Sequence, residues 1–366
     1  MSSPAPRALA IPSRLGDYDV RFEPDLSFIQ QLIRLPRRLF VVDATVWEIH
    51  HPSALGDIPE AETLILPIHE DRKNLDSVRA VYERLLASAA KRNLTLIAIG
   101  GGILQDIAGY AASTLYRGIP WVFVPTTLLA QADSCIGGKT SLNYGEYKNL
   151  LGTFYPPRAV HIHIEFLKTQ LEGDFFSGLG EVVKLHLLGA ERHGELASQV
   201  LPALLPPMVQ RDSAALLDGV QRSLAIKRDF IVDDEFDTGR RNLLNYGHCF
   251  GHALESVSQF RIPHGQGVVV GMIAANMAAR NRGWLNAADE KDVRTRLLLP
   301  ILKLKPDRAD LEDGPIIEAM KKDKKRTGEG LPLILYRDGC IFERIGDLTF
   351  GEVAEVLAEL RELFRE

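Results

Sequence analysis

LTLIAIGGGILQDIAGYAASTLYRGIPWVFVPTT, residues 94–127, is the stretch that decides the fold class. An apolar run, LTLIAIGGG (94–102), ends in three glycines. ILQDIAGYAASTLYRG follows with helical patterning, and WVFVPTT (121–127) is a second apolar run. Apolar runs separated by a helix read as strand–helix–strand, and that alternation builds a parallel sheet covered by helices. Gly100, Gly101 and Gly102 stand where a strand hands over to a helix, so backbone amides there can approach a phosphate. The triplet is not the GxGxxG fingerprint, and a tight turn explains it as well.

Working outward, RLFVVD, which ends at Asp43, and ETLILPI (62–68) read as further strands. LDSVRAVYERLLASAAKR (75–92) reads as an amphipathic helix. Asp43 ends its strand where a carboxylate can accept ribose hydroxyls, and Asp106 lies one turn into the helix after the glycines. Together they favour a nucleotide site. AVHIHIEFL alternates like a strand, and its His161 and His163 are assigned no chemistry. From about residue 170 long helical segments take over: SGLGEVVKLHLLGA, AALLDGVQRSLAIKRDFIV, VVVGMIAANMAARNRG and FGEVAEVLAELRELF. The expected organisation is an α/β domain over 1–169 and a mostly helical domain over 170–366, with no internal repeat.

A chain of 366 residues, 46% hydrophobic and 25% charged, suits two globular domains with large cores. A net charge of −5 supplies no global basic field, which argues against a nucleic-acid partner. The basic run KKDKKR (321–326) then reads as a solvated face, from which one lysine can reach a substrate phosphate. Cys135, Cys249 and Cys340 are odd in number and form no CxxC pair, which suits a reducing cytosol rather than a disulfide framework. MSSPAPRALAIPS carries no long apolar run, and no stretch approaches the ~18–20 apolar residues of a spanning helix. No membrane partner and a cytoplasmic location are expected.

Polar chemistry concentrates in RNLLNYGHCFGHALES, where Arg241, Asn245, His248, His252 and Glu255 are spaced four, three, four and three residues apart. On a helix these positions share one face, with Leu243, Leu244, Phe250 and Leu254 on the others. Such a face is costly to bury unless something pairs with it. His248 and His252, at i and i+4, can hold one divalent metal. Alternatively His248 and the later His264 are the ligands and His252 is left for acid–base work. Glu181 and Lys184, three apart at the helix start SGLGEVVK, read alone as an intrahelical ion pair. A carboxylate such as Glu181 can also complete a His–His–carboxylate zinc set with an open position.

VPTTLLAQADSCIGGKTSLNYGEYKN (124–149) is rich in small and polar groups. Thr126 and Thr127 end a strand. Asp133, Lys139, Lys148 and Asn149 either line a cleft or belong to an ordinary polar loop. Gly137 and Gly138 before Lys139 look like a shortened phosphate loop, but residue 133 is Asp where GxxxxGK[ST] needs Gly. A P-loop NTPase is excluded.

Taken in order, GGGILQDIAGYAASTLYRG, PTTLLAQADSCIGGKTSLN, KNLLGTFYPP, SGLGEVVK, RRNLLNYGHCFGHALE, HGQG and DKK resemble the dehydroquinate synthases and their relatives, the sugar phosphate cyclases. The resemblance covers nearly the whole chain. It implies a Rossmann-like NAD-binding domain followed by a mostly helical metal-binding domain, with the active site in the cleft between them. It implies zinc, or cobalt in its place, on Glu181, His248 and His264. His252 is then a proton relay beside the substrate phosphate. Arg117, Lys139, Asn149, Asn245, His252 and Lys324 form the phosphate side. Arg117 would reach a neighbouring subunit's site in a homodimer. Asp133 and Lys227 would meet ring hydroxyls and carboxylate, Arg241 the carboxylate, and Lys184 the substrate. Asp237 stands at an acidic catalytic position that is often Glu. NAD would be held by Asp43, Glu70, Lys73, Gly101, Gly102, Asp106, Thr126, Thr127 and Lys148.

The implied activity is a carbon–oxygen lyase reaction of the shikimate route to aromatic amino acids. An alcohol of a seven-carbon keto acid phosphate is oxidised transiently by NAD, and phosphate is eliminated. The hydride is then returned, and an intramolecular aldol step closes a carbocycle. Arg241 suits the carboxylate of that substrate. Valiolone-type relatives replace the Asn and second His of NxGHxxGH, and inosose-type relatives carry Glu at the Asn position. Here Asn245 and His252 both stand. Departures from the family pattern are YGEYKN at 144–149, Gln266 in HGQ, TQLEGDF at 169–175, and Asp237. They keep open a cyclase acting on sedoheptulose 7-phosphate or on an amino analogue. A zinc alcohol dehydrogenase would instead show net NADH formation, and a non-catalytic scaffold would lack ligands that this chain has.

Overall fold

The computed structural model describes residues 8–87, 94–145, 147–193, 197–322 and 330–365. The chain divides into two compact units, Met1–Gln170 with Lys227–Phe236, and Leu171–Ile226 with Asp237–Glu366.

The first unit is built on a seven-stranded sheet of β1 (Ala8–Ile11), β2 (Tyr18–Phe22), β3 (Arg38–Asp43), β4 (Thr63–Leu66), β5 (Thr95–Gly100), β6 (Trp121–Pro125) and β9 (Ala159–Ile162). Its order is β1-β2-β9-β6-β5-β3-β4. Only β1 and β2 pair antiparallel; every other neighbour is parallel. Strands covered on both faces have no polar side to present, which is why Leu39–Val42 and Leu96–Ile99 are unbroken apolar runs, all fully buried. Helix α1 (Ser27–Ile33) packs Phe28, Ile29 and Leu32 against Phe40, Val42, Ile97, Ile99 and Val124. Helices α2 (Ala44–His50), α3 (Leu75–Ala87) and α4 (Gly102–Thr114) complete the unit.

Two readings change within this unit. The helix after the glycines stops at Thr114, because Tyr116 and Arg117 adopt left-handed backbone (φ 53° and 63°) in a short turn. The polar run 124–149 is not one loop. A π-turn (Ala130–Ser134) leads into an antiparallel hairpin of β7 (Lys139–Tyr144) and β8 (Tyr147–Phe154).

The second unit contains α5 (Glu172–His193), α6 (Ala197–Val209), α7 (Ser213–Asp233, whose residues from Lys227 cluster with the first unit), α8 (His248–Val257), α9 (His264–Asn281), α10 (Ala287–Val293), α11 (Asp313–Lys321) and α12 (Phe350–Leu363). A two-stranded ribbon, β10 (Leu331–Arg337) and β11 (Ile341–Leu348), was not legible as strands. Helix α9 is buried from Gly265 to Ala279, so it forms the axis of the helical unit. Among the described residues no helix is long and apolar enough to cross a membrane.

Candidate active site

The polar stripe is not one helix. Arg240–Asn245 forms a 3-10 turn, Gly247 is left-handed (φ 78°), and α8 begins at His248. A side chain at 247 would bring a Cβ within 2.7 Å of the Val268 carbonyl oxygen. Only glycine allows that approach at that φ. The break leaves His248, His252 and Glu255 on one face of α8 and places Arg241 and Asn245 before it. Arg241 is buried (3% exposed). The Asn245 amide donates to the Asn242 carbonyl at 2.8 Å. Asp237 is left-handed (φ 58°), and its carbonyl accepts from the Asn242 amide at 3.2 Å.

Glu181 and Lys184 lie mid-helix, since α5 starts at Glu172 rather than near Ser177. Both are buried, at 1% and 2% exposure, and the Lys184 ammonium touches Glu181 Oε2. A pair this deep is not the solvated ion pair worth a few tenths of a kcal/mol.

Glu181 Oε1 is 3.7 Å from His248 Nε2 and 3.4 Å from His264 Nε2. The other ring nitrogens are anchored. His248 Nδ1 lies 3.1 Å from the Tyr246 carbonyl, and His264 Nδ1 lies 3.3 Å from Glu255 Oε2. A carbonyl or carboxylate oxygen can only accept, so each Nδ1 carries a proton, and Nε2, the atom facing Glu181, is the one each imidazole can offer to a metal. The rings of His248, His252 and His264 lie 5.2–5.5 Å apart. Their nitrogens lie within 4.8 Å of one another, with His252 exposed.

This donor set fits zinc. Ligand distances of about 2.0–2.1 Å around a tetrahedral ion put neighbouring donors roughly 3.3–3.4 Å apart. The spacing at Glu181 Oε1 is close to that edge. Burial, with Lys184, His264 and His252 nearby, holds the His248 imidazole well below its ordinary value and so neutral. Burial alone would depress His264 too, but hydrogen bonds to Glu181 and Glu255 outweigh it and push it up to about 9. A cation placed among these groups would take over the role of that proton.

In the first unit, the N-terminus of α4 has no side-chain cap and no acidic residue in its first turn, and a helix end of this kind favours an anion. A Cβ at Gly101 would sit 3.0 Å from Thr127 Cγ2, whereas one at Gly102 would meet nothing closer than 3.4 Å. The chain itself therefore leaves room above Gly102. Thr126 Oγ1 is buried and has no hydrogen-bond partner among the described residues. Asp43 caps α2 by accepting from Thr45 N at 2.9 Å, and burial raises its carboxyl above the ordinary value. Uncapped helix amides, an orphan buried hydroxyl and a strand-end carboxylate suit a dinucleotide such as NAD.

Beside them, Lys73 Nζ is 2.5 Å from Asp106 Oδ2 and donates to Asn149 Oδ1 at 2.7 Å. Ser141 N donates to Asp106 Oδ1 at 2.8 Å, and Ser141 Oγ to Asn149 Oδ1 at 2.9 Å. Asn143 Nδ2 donates to Glu70 Oε1 at 2.9 Å, and Lys148 Nζ lies 3.8 Å from the same oxygen. Asn149, expected on the phosphate side, is thus joined to the residues expected to hold NAD. Lys227 is buried; its ammonium touches the Asp133 carboxylate and donates to the Asp133 carbonyl at 2.6 Å. Lys139, the first residue of β7, and Arg117 are exposed. Lys324 lies outside the described residues.

Ser141, Asn143 and the orienting role of Glu255 were missed. The first two alternate along KTSLNY, a period-two signal hidden by reading the run as a loop. His161 is stacked on Phe28 and paired with Glu23 Oε1 at 2.7 Å, a structural position. Gln266 is structural as well. Its amide donates to the carbonyls of Phe176 (3.0 Å) and Ile301 (3.1 Å), and its oxygen accepts from Lys303 N (2.7 Å) and Leu304 N (3.2 Å).

A parallel-sheet unit with an uncapped helix N-terminus, joined in one chain to a helical unit with a His–His–carboxylate set, defines a dinucleotide- and metal-binding class of protein. Comparison with known proteins narrows the class. Residues 63–177 match the 3-dehydroquinate synthase N-terminal family, and residues 178–326 match the 3-dehydroquinate synthase C-terminal family. This chain belongs to the 3-dehydroquinate synthase family. It is 38% identical over 298 residues to the 3-dehydroquinate synthase of Geotalea uraniireducens (strain Rf4), covering 81% of this chain and 79% of that one. Among solved structures it resembles the 2-epi-5-epi-valiolone synthase of Streptomyces hygroscopicus subsp. jinggangensis 5008 with NAD+ and Zn2+ bound. That match has a TM-score of 0.82 and 27% identity, and covers 96% of this chain and 99% of that one. A 2-deoxy-scyllo-inosose synthase complexed with carbaglucose-6-phosphate, NAD+ and Co2+ shares the fold, with a TM-score of 0.81, 23% identity, and coverage of 96% and 99%.

Proposed function

We propose that this protein is a 3-dehydroquinate synthase-type cyclase. It converts a seven-carbon keto acid phosphate into a carbocycle with loss of phosphate, as a carbon–oxygen lyase dependent on NAD and zinc. The observation that carries the reading is the convergence of Glu181 Oε1 with the Nε2 atoms of His248 and His264, each imidazole locked at Nδ1. When bound, NAD accepts and returns a hydride and zinc polarises the substrate oxygen, so no net redox change accrues.

The chain's own side chains do the rest in this reading. Glu181, His248 and His264 hold the metal. Lys184 pairs with Glu181 and offers its ammonium to the substrate. Arg241, fixed in the turn before α8, binds the carboxylate by a bidentate contact. His252, exposed beside both ligand imidazoles, moves a proton at the phosphate side, where Lys139 and Asn245 bind with it. Asp133 orients the Lys227 ammonium toward ring oxygens. Thr126, Gly101 and Gly102 receive the dinucleotide, with Lys73 and Asp106 tying β7 and β8 to it.

A cytoplasmic homodimer in which exposed Arg117 serves the neighbouring copy is part of the proposal. Sedimentation of wild type and Arg117→Ala, with mixed-dimer complementation, tests it. A second reading, a cyclase acting on sedoheptulose 7-phosphate, is favoured by the fold likeness to a valiolone synthase. Phosphate release and product mass, measured on the two phosphates in parallel with NAD and zinc, decide between them. Turnover of the keto acid phosphate alone supports the proposal, and turnover of the sedoheptulose phosphate alone overturns it.

A further inference from the structure

We infer that a set of glycines next to the metal donors positions those donors, by letting three chain segments meet backbone to backbone; this rests on the metal-binding reading above. Each donor stands next to such a glycine. Gly180 precedes Glu181, Gly247 precedes His248, and Gly265 follows His264. A Cβ at Gly180 would lie 2.5 Å from the Gly265 carbonyl oxygen, and one at Gly265 would lie 1.9 Å from the Ser177 carbonyl oxygen. The segment bearing Glu181 is thus pressed against the segment bearing His264. A Cβ at Gly271 would lie 1.8 Å from the Gly247 carbonyl oxygen, and one at Gly251 would lie 3.0 Å from the Gly267 backbone. These contacts press α8, which begins with His248, against α9.

The obstacles are backbone atoms, which cannot rotate away as a side chain can. Ser177 adds a directional tie, since its Oγ accepts from Gly265 N at 2.8 Å in a buried position. That bond caps the start of α9 from α5, one turn before Glu181 and one residue after His264. The donors themselves converge within 3.4–3.7 Å of Glu181 Oε1. A shift of a few tenths of an ångström between the helices is transmitted directly to that spacing. The glycines are positioning residues: they touch neither substrate nor metal.

The test uses the full-length protein and three variants. Gly251→Ala is the mild case, because its neighbours must yield only slightly. Gly271→Ala is the severe one. Gly189→Ala is the control: it lies on α5 with Glu181, but its Cβ would meet side-chain rather than backbone atoms, Ile226 Cδ1 at 2.5 Å and Cγ1 at 2.7 Å. Zinc affinity by competition with a chromophoric chelator, the visible absorption of the cobalt-loaded protein, and the unfolding midpoint of the metal-free protein are measured for each. Gly251→Ala is expected to fold and to bind zinc roughly 10–100-fold more weakly, the range seen when supports of metal ligands are altered, with shifted cobalt bands. Gly189→Ala is expected to lower the midpoint while leaving affinity and bands unchanged. Wild-type affinity and cobalt bands in Gly251→Ala overturn the inference, as does an equal loss of affinity in Gly189→Ala. If Gly271→Ala does not fold, Gly251→Ala still decides. If wild type takes up no stoichiometric zinc, the metal reading itself fails before any variant is compared.

Discussion

Glu181→Gln separates the metal role of this carboxylate from its structural one. The substitution keeps size and removes the charge. Glu181 Oε1 serves the two imidazoles at 3.4 and 3.7 Å, and Oε2 touches Lys184, whose side chain is 3% exposed. Two losses follow. A zinc site worth about 10–16 kcal/mol, shared over four coordination positions, gives roughly 3–4 kcal/mol per ligand, or about two to three powers of ten in affinity. Lys184 would also be left buried without its carboxylate, which costs the metal-free protein about 3–5 kcal/mol. The second loss is reversible by design. Lys184→Met in the same chain removes the stranded charge and with it the larger part of that cost, leaving only the neutral amide of Glu181→Gln buried. Urea unfolding of the metal-free proteins should therefore show Glu181→Gln destabilised and the double variant restored. Chelator competition should show both defective in zinc. Zinc affinity within about twofold of wild type in Glu181→Gln, on a scale where one ligand is worth powers of ten, refutes the ligand assignment. Failure of Lys184→Met to restore stability refutes the buried-pair argument alone.

Thr126→Val removes a hydroxyl that has no partner among the described residues. It should cost the NAD-free protein nothing in urea unfolding, yet weaken NAD binding by about 0.5–1.5 kcal/mol in calorimetry; unchanged affinity removes Thr126 from the cofactor site. Gln266→Glu deprives the Phe176 and Ile301 carbonyls of their donors, and each unsatisfied group costs about 1–3 kcal/mol. Stability should fall with no change in substrate preference, and a switched preference would mean that Gln266 acts on specificity after all. Hydrogen bonding to Arg282, with help from Thr349, holds the Glu352 carboxyl down at about 2, against 4.5 ordinarily. A folded value below the unfolded one gives stability that is complete above about pH 4.5 and lost as pH falls toward 2. Glu352→Gln keeps the cap geometry at the start of α12 and should cost about 1–2 kcal/mol at pH 7 and nothing near pH 2. A pH-independent difference in unfolding free energy would contradict this.

The parts legible in the sequence share a strong local signal. Strands buried on both faces must be apolar throughout, so RLFVVD and LTLIAIG declared themselves, and the glycines marked the passage from β5 into α4. The histidines gave their neighbours away by spacing. What stayed hidden depends on contacts distant in sequence or on single backbone angles. Gly247 breaks the stripe because Val268, 21 positions on, occupies the space a Cβ needs. Helix α5 begins earlier than its apolar pattern suggests, so Glu181 is held deep in a helix rather than at its mouth. Ribbon β10–β11 alternates too irregularly to be read, with a register shift between Leu331 and Leu333. The β7–β8 hairpin was masked by its small polar residues, which serve Asp106 and Glu70 rather than the core.

The departures from the family pattern bear on substrate only if they touch the chemistry, and the structure gives several of them scaffold roles. Gln266 spends all four of its hydrogen bonds on backbone groups around α9, and a carboxylate there would have no proton for two of them. In TQLEGDF, Leu171 is exposed, while Phe175 is buried under the Arg211 guanidinium, 4.4 Å from its ring centroid. In YGEYKN, Tyr144 and Tyr147 flank a hairpin tip and are exposed, while Lys148 and Asn149 keep polar contacts with Glu70, Lys73 and Ser141. Asp237 differs in kind: its backbone is left-handed (φ 58°) and its side chain is one methylene shorter than Glu. If only Asp237 can alter the pocket, Asp237→Glu is the substitution that should change the balance between the keto acid phosphate and sedoheptulose 7-phosphate. Restoring the family residue at Gln266, or in 144–147, should leave that balance where it is. A change of preference at either of those segments, with none at Asp237, would show that the scaffold reading of the departures is wrong.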